Sequence, residues 1–393
     1  MREAFHRTRK DGAPGVDGRT GAEYEHDLEE HLGSLLDRFK SGRYKAPPVR
    51  RTYVPKGDGS SRPIGIPTFE DKVLQRAVTM VLESVYEQDF LPCSHGYRPG
   101  RSAHGALAEL RARLMEMGGG WVLEVDIKSF FDSLDHARLR SILDRRVRDG
   151  VLRRTIDKWL AAGVLEGTEW SQPDAGTPQG GVISPLLANI YLHDALDTWF
   201  ENDVKPRLFG RSFMLRFADD AVMVFGNEKG ARRVLAVLPK RLGKYGLTLH
   251  PTKTRLLHFR PGGAGQPPQP GGRSFEFLGI THFWARSRRG SWVVMQRTAG
   301  SRFTGAVKRV SNWLRQNRHR PIRWQHHHLV PKLRGHYNYY GITGNARSLY
   351  RFRYKVTCAW IKWLGRRSNA RMSWKRFRQV LDRFPLPAPV VRH

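Results

Sequence analysis

The run FMLRFADDAVMVF, residues 213–225, constrains the fold more than any other stretch of the chain. Two apolar segments of strand length and composition, 213–217 and 222–225, flank Asp219 and Asp220. The pattern reads as a β-hairpin carrying two acids at its turn. Adjacent carboxylates repel, and burying them is costly unless a cation compensates. Taken alone, a solvated turn explains these residues, because Asp is a common turn residue. A second acid-tipped strand adds a reason to hold charge there: WVLEV, residues 121–125, ends at Asp126. If the two elements pair antiparallel, Asp126 approaches Asp219 and Asp220, and three carboxylates in one place call for cations. Magnesium suits such a setting, since it takes a few carboxylates, several waters and substrate phosphate. Two such ions, about 3.5–4 Å apart, can activate an attacking hydroxyl and stabilise the leaving oxygen of a phosphoryl transfer.

Charge is the next constraint. The 393 residues, enough for two or three domains, carry a net charge of +32. The distribution is uneven: from Phe277 to His393 there are 26 Lys and Arg against one acid, Asp382. A folded surface this basic repels itself unless a polyanion neutralises it. The same segment holds seven of the eleven tryptophans, among them Trp313, Trp324, Trp360 and Trp363. Basic residues interleaved with aromatics suit a surface that tracks a phosphate backbone and stacks bases. A membrane-surface helix fits less well, because the basic residues spread over the whole segment rather than one amphipathic helix. No apolar run reaches bilayer length, and the charged start MREAFHRTRKDG has no apolar core of a secretory signal. Cys93 and Cys358 make neither a disulfide framework nor a cysteine-based zinc site. These features point to a cytoplasmic, nucleic-acid-binding protein; the family resemblance described below implies a bacterial one, associated with the nucleoid when on DNA.

Local patterns place the motifs. A polar helix is expected over 22–40, two short strands over 45–67 around GDGSS, and a capped helix from Thr68. Helices are expected over 135–148, 186–200 and 230–245, with short strands over 256–259 and 275–283. The segment RPGGAGQPPQPGGR, 260–273, reads as a flexible surface loop. Phe303, Val307, Val310 and Leu314 recur at helical spacing with basic residues between them. The main domain boundary is expected near residue 290. His326, His327 and His328 cannot chelate one ion together from a helix, because consecutive side chains point about 100° apart. Gly118, Gly119 and Gly120 precede a strand and lack the helix and Lys of a phosphate loop.

VDIKSFFDSLDH, GTPQGGVISPLLANIYL, RFADD and FLGI occur in that order and resemble the palm motifs of reverse transcriptases. Upstream, VPKGDGSSRPIGIPTFEDKVLQ and HGYRPGRSAHGAL resemble the fingers of bacterial group II intron-encoded proteins. Downstream, LRGHYNYYGI and WKRFRQVLDRFPLP resemble their thumb, or maturase, region. The resemblance covers nearly the whole chain. It implies an α+β right-hand polymerase: a short N-terminal extension (1–44), fingers (45–120), a palm with an antiparallel sheet (121–290), an α-helical thumb (291–365) and a basic tail (366–393).

The resemblance also implies roles. Asp126, Asp219 and Asp220 match the catalytic, metal-binding acids, with the Ile127 carbonyl as a further ligand for two Mg²⁺ and Asp220 as the more supporting acid. Lys56 and Arg62 match the pair that clamps the incoming triphosphate. Gln179 matches the residue packed on nucleotide and template, with Gly180 and Gly181 allowing close backbone approach. Phe130 and Phe131 match nucleotide-site residues, Phe131 at the position that excludes a ribose 2′-hydroxyl; a core phenylalanine is the simpler alternative. Lys253 matches a lysine placed to protonate pyrophosphate, though a surface lysine would look the same. Phe277, Leu278 and Gly279 resemble the primer grip. The implied partners are an RNA template (intron RNA in this family), a DNA or RNA primer and dNTPs. Phe217 departs from the tyrosine more usual before Ala-Asp-Asp. The N-terminal extension is short and no Cys- and His-rich nuclease module follows PLPAP, so priming is expected from a 3′ end made elsewhere.

The charge distribution yields one expectation independent of any family. If the basic segment neutralises about 6–10 phosphates, RNA affinity falls roughly 10³–10⁵-fold between 50 and 200 mM salt. Filter binding across that range checks it; a flat response would mean the basic residues serve something else.

Overall fold

The computed structural model describes residues 1–55, 61–166, 169–171, 180–262, 274–367 and 372–393. Lys56, Gln179 and most of the loop expected over 260–273 lie outside the described residues. The chain forms two compact units. One is Met1–Ser102 with Trp121–Leu256, and the other is Ala103–Gly120 with Leu257–His393. The division therefore falls at residues 256 and 257, whereas the change of composition had suggested a boundary near 290.

The first unit opens with α1 (Arg2–Arg7), α2 (Gly21–His26) and α3 (Leu28–Lys40). The single helix expected over 22–40 is thus interrupted at Asp27. β1 (Val49–Pro55) and β2 (Ser61–Ile66) form the expected antiparallel pair, Arg50 opposite Ile66. Thr68 then caps α4 (Phe69–Tyr86) by accepting from the Asp71 backbone N–H. The Asp71 side chain does not complete a capping box. It is buried, and Tyr44 Oη, Trp159 Nε1 (2.7 Å) and Gln75 Nε2 (3.0 Å) all donate to its carboxylate. Burial pushes this carboxyl up to about 6 in spite of those donors.

After α5 (Ala103–Met117), which belongs to the second unit, the chain enters β3 (Gly120–Val125). Asp135 caps α6 (His136–Asp144), and Asp149 caps α7 (Gly150–Leu160). β4 (Val164–Glu166) runs parallel to β1 and is followed by β5 (Glu169–Ser171). Buried Leu186, Leu187, Ile190 and Leu192 anchor α8 (Ser184–Leu192), which continues through two wider π-helical turns as far as Val204. β6 (Ser212–Phe217) and β7 (Asp220–Phe225) make the hairpin that the sequence announced, with Phe217 opposite Asp220. β3 pairs antiparallel with β7, Val125 opposite Ala221. Leu123, Met214, Met223 and Phe225 turn into a core shared with α8 and with α9 (Glu228–Gly243). β8 (Arg255–Phe259) runs across the division between units.

In the second unit β9 (Ser274–Phe277), β10 (Ile280–Arg286) and β11 (Trp292–Thr298) form an antiparallel sheet. The single strand expected over 275–283 is a hairpin, broken at Leu278 and Gly279, both with positive φ. α5 lies against this sheet: Arg111 Nε donates to the Val294 carbonyl at 2.9 Å, and Gln296 Nε2 donates to that of Leu107. That packing is why residues 103–120 join this unit. α10 (Gly300–Gln316), α11 (Ile322–Tyr340), α12 (Ala346–Leu364) and α13 (Trp374–Arg383) then bury Leu314, Leu329, Leu333, Phe352, Trp360 and Phe377 together. Among the described residues no helix is long and apolar enough to cross a membrane.

One buried ion pair organises the first unit. Arg216, next to the last residue of β6, has its side chain fully buried and is paired bidentately with Asp197, whose carboxylate is also fully buried, at 2.6 and 2.7 Å. Removing one partner of such a pair strands the other charge, at a cost of about 3–5 kcal/mol. Arg216→Met should therefore destabilise the chain by about that much, and adding Asp197→Leu should recover a large part of the loss. Urea unfolding of the single and double variants measures both; equal stability of Arg216→Met and wild type would refute the account.

Candidate active site

The acidic turn is built from the Arg216 guanidinium outward. β6 and β7 are joined by only two residues, Ala218 and Asp219. Ala218 has φ +56°, at a turn position where glycine is usual, and an alanine held there is strained. Arg216 offsets that strain by donating from Nη1 to the Ala218 carbonyl at 2.9 Å. The same nitrogen donates to Asn189 Oδ1 on α8, while Nη2 reaches Ser94 Oγ at 2.8 Å. Asn189 in turn donates to the Gly96 carbonyl at 2.7 Å. The 93–95 segment joins the edge of β6 through backbone bonds, His95 N–H to Arg216 O and Arg216 N–H to Cys93 O, both 2.8 Å. Gly96 is pressed against the turn so closely that a Cβ there would lie 2.4 Å from the Ala218 nitrogen. One guanidinium thus ties the turn to α8, to the π-helical extension and to Ser94, just before the HGYRPG segment.

Carried on this support, Asp219 is half-buried and Asp220 exposed. Burial pushes the Asp219 carboxyl above the ordinary range, and Asp126 pushes the same way; a backbone hydrogen bond, Arg62 and Lys253 act against them. Asp126 therefore stands close enough to Asp219 for the two charges to interact, as the β3–β7 register requires. Lys253 Nζ lies 3.3 Å from Asp126 Oδ2. Thr248 and His250 bond the backbone on either side of Ile127, His250 N–H to Asp126 O and Lys128 N–H to Thr248 O, both 2.8 Å. In that arrangement the Ile127 carbonyl faces away from the Thr248–His250 segment.

The nucleotide-site residues assemble on the same unit. Phe131 is buried edge-to-face against Phe130, and the Arg62 guanidinium of β2 stands 5.9 Å from the Phe131 ring centre. Gly180, with φ +117°, approaches β2 so closely that a Cβ would meet the Gly65 carbonyl at 2.5 Å. Ile183 N–H donates to Gln75 Oε1, which ties the same segment to α4. Arg62, Phe131, Asp126, Asp219 and Lys253 are thus brought together. Phe277, Leu278 and Gly279 belong to the second unit, where Tyr339 Oη donates to the Leu278 carbonyl at 2.9 Å. The three consecutive histidines part ways there: His326 Nε2 meets the Pro385 carbonyl, whereas His328 stacks on Trp324.

Among the described residues no group of three His, Cys, Asp or Glu side chains is spaced to hold a metal unaided. Asp126 and Asp219 nevertheless fit magnesium's habits: hard oxygen donors, one or two carboxylates, and the remaining positions left for water and substrate phosphate. Arg216 had no place in the sequence reading. Its signal was an arginine inside an otherwise apolar strand, which demands a buried acid, and Asp197 in HDALDTWF is that acid.

A strained acidic turn on an antiparallel sheet, with an arginine and a lysine facing its carboxylates, defines the class of nucleotide-polymerising palm folds. The chain belongs to the reverse transcriptase (RNA-dependent DNA polymerase) family, whose model matches residues 54–282. It is 33% identical over 317 residues to Protein YkfC of Escherichia coli (strain K12), a match covering 72% of this chain and 79% of that protein. It is 45% identical over 168 residues to the Group II intron-encoded protein LtrA of Lactococcus lactis subsp. cremoris, covering 42% of this chain and 28% of LtrA. An uncharacterized 91 kDa protein in the cob intron of Schizosaccharomyces pombe is 39% identical over 279 residues, covering 58% and 34%. The match thus spans about a third or less of the length of the last two proteins.

Arg62→Gln removes a cation that favours ionised Asp219, so the Asp219 pKa should rise further above the ordinary carboxylate range. NMR titration of carbon-labelled aspartate, with Asp219→Asn to assign the signal, measures it. An unchanged midpoint would detach Arg62 from the site.

Proposed function

We propose that the protein extends a primer 3′-hydroxyl with dNTPs on an RNA template. The observation that carries this reading is the convergence of Asp126 and Asp219 with Arg62, Phe131 and Lys253 in one unit of a reverse-transcriptase-family chain. Asp126, Asp219 and the Ile127 carbonyl would hold two Mg²⁺, with Asp220 in support; bound there, the metal would activate the 3′-hydroxyl and neutralise phosphate charge. Arg62, joined by Lys56, grips the triphosphate through charge-assisted hydrogen bonds. Gln179 packs on the nucleotide and template, and Gly180 and Gly181 keep that backbone close. As the bond from the α-phosphorus to pyrophosphate breaks, Lys253 supplies a proton to the leaving oxygen. Phe130 backs the Phe131 ring, which occupies the space a ribose 2′-hydroxyl would need. Phe277, Leu278 and Gly279 hold the primer strand.

We also infer that intron RNA is a natural partner, as the names of the intron-encoded relatives suggest, with splicing assistance as the attendant role. Service in DNA repair or phage defence is the alternative physiological setting for the same chemistry.

Primer extension on an RNA template with dNTPs and Mg²⁺ tests the reading. Asp219→Ala should abolish synthesis while RNA affinity stays nearly intact, because the acid places metal and the basic segment supplies affinity. Equal loss of both would refute that division. In the same assay Phe131→Ala should raise the ribonucleotide-to-deoxynucleotide kcat/KM ratio by roughly tenfold or more, the scale of discrimination a steric pocket achieves. An unchanged ratio would make Phe131 a core residue only.

A further inference from the structure

The four-helix part of the second unit contains a cavity of about 340 Å³, lined on α10, α11 and α12 by Arg309, Val310, Trp313, Lys332, His336 and Phe352. Its size falls in the range of small-ligand pockets. Val310 and Phe352 make an apolar floor. The His336 ring lies flat on Phe352, 3.7 Å between centres and 17° between planes. Trp313 is half-buried and continues a run of near-parallel rings with Trp324 and His328. Arg309 and Lys332 are exposed at the rim, and the Lys332 ammonium stands 5.1 Å from the Trp313 ring centre.

One polar atom in this wall lacks a partner. His336 Nε2 is buried and makes no hydrogen bond among the described residues. Burial pushes the His336 pKa down to about 4, so the ring is neutral at physiological pH. A neutral imidazole nitrogen donates or accepts according to its tautomer, and it pairs readily with the edge of a heterocycle. Flat apolar rings, one unpaired ring nitrogen and two rim cations match an aromatic heterocycle that carries phosphate. The Lys332 contact to Trp313 is a surface cation–π interaction of the weak kind, readily exchanged for a phosphate.

We propose that this cavity binds one unstacked base of single-stranded RNA, the base against Trp313 and His336 and its flanking phosphates on Arg309 and Lys332. The site rests on the reading of the chain as RNA-binding, and its lining residues belong to the second unit, whereas the carboxylates and nucleotide residues belong to the first. It would let the second unit grip a single strand by stacking, in addition to charge.

Photo-crosslinking wild-type protein to a short single-stranded RNA carrying 5-iodouridine, followed by peptide mapping, needs no variant. Crosslinks at Trp313 or His336 are expected; crosslinks confined to other segments would overturn the proposal. Trp313→Leu, verified as folded by thermal melting, should weaken binding of the RNA roughly tenfold, the scale of one stacked base. Trp313→Phe should restore most of it. On an abasic strand of the same length, wild type and Trp313→Leu should bind alike. Equal losses on both strands, or displacement from the cavity by an acidic peptide as readily as by RNA, would assign the cavity to something other than a base. Wild-type protein that binds no RNA at all would fail the broader reading as well, whereas RNA binding with crosslinks elsewhere would fail the cavity alone.

Discussion

The Arg216–Asp197 pair is the interaction on which the first unit depends. Two fully buried charges are expensive to desolvate, and hydrophobic replacements for such pairs often cost nothing in stability. The arrangement here does something a hydrophobic pair could not. Five acceptor atoms on four other residues converge on one guanidinium: both Asp197 carboxylate oxygens, the Asn189 amide oxygen, the Ser94 hydroxyl and the Ala218 carbonyl. The planar, multiply donating fork of arginine is what allows this, and lysine could not reproduce it. The four acceptor residues lie on different elements, so a single side chain sets the positions of β6, the acidic turn, α8, its π-helical extension and the 93–96 segment.

The geometry of the turn follows from that support. Ala218 adopts positive φ in a two-residue connection, and Gly96 closes in behind its nitrogen. A tight turn held this way presents Asp219 toward Asp126 with little freedom, although burial and like charge both oppose ionisation there. Arg62 and Lys253 moderate the repulsion from outside the hairpin. The result is a carboxylate pair whose mutual repulsion and burial are opposed by two nearby cationic side chains.

The second unit works by a different principle. Its helices carry few acids, so its apolar seams must hold the fold against the repulsion of its own surface. Buried polar bonds assist the seams: Gln325 Nε2 donates to the carbonyls of Asn317, Arg318 and Arg320 and closes the α10–α11 connection, while Trp360 Nε1 donates to Gln325 Oε1. The apolar side chains of these helices are buried together, while most of their basic side chains are exposed.

The sequence by itself determined the β6–β7 hairpin, the acid at the end of β3, the amphipathic α10 and the charge imbalance. The first three are local patterns that alternation or periodicity over a dozen residues is enough to specify, and the charge imbalance is a plain count along the chain. It also carried the motif order that identifies the family. It missed the break at Leu278 and Gly279, because two positive-φ residues inside an apolar run leave no periodic trace. It gave no sign that residues 103–120 join the second unit, because α5 bonds β11 across more than 180 residues of chain and no local pattern records that pairing. The arginine inside an apolar strand demanded a buried acid, but which acid answers it was not legible until the fold buried Arg216 and Asp197 face to face. Only tertiary structure decided which charges are structural and which face the site, since burial and partner distance, not residue type, make that distinction.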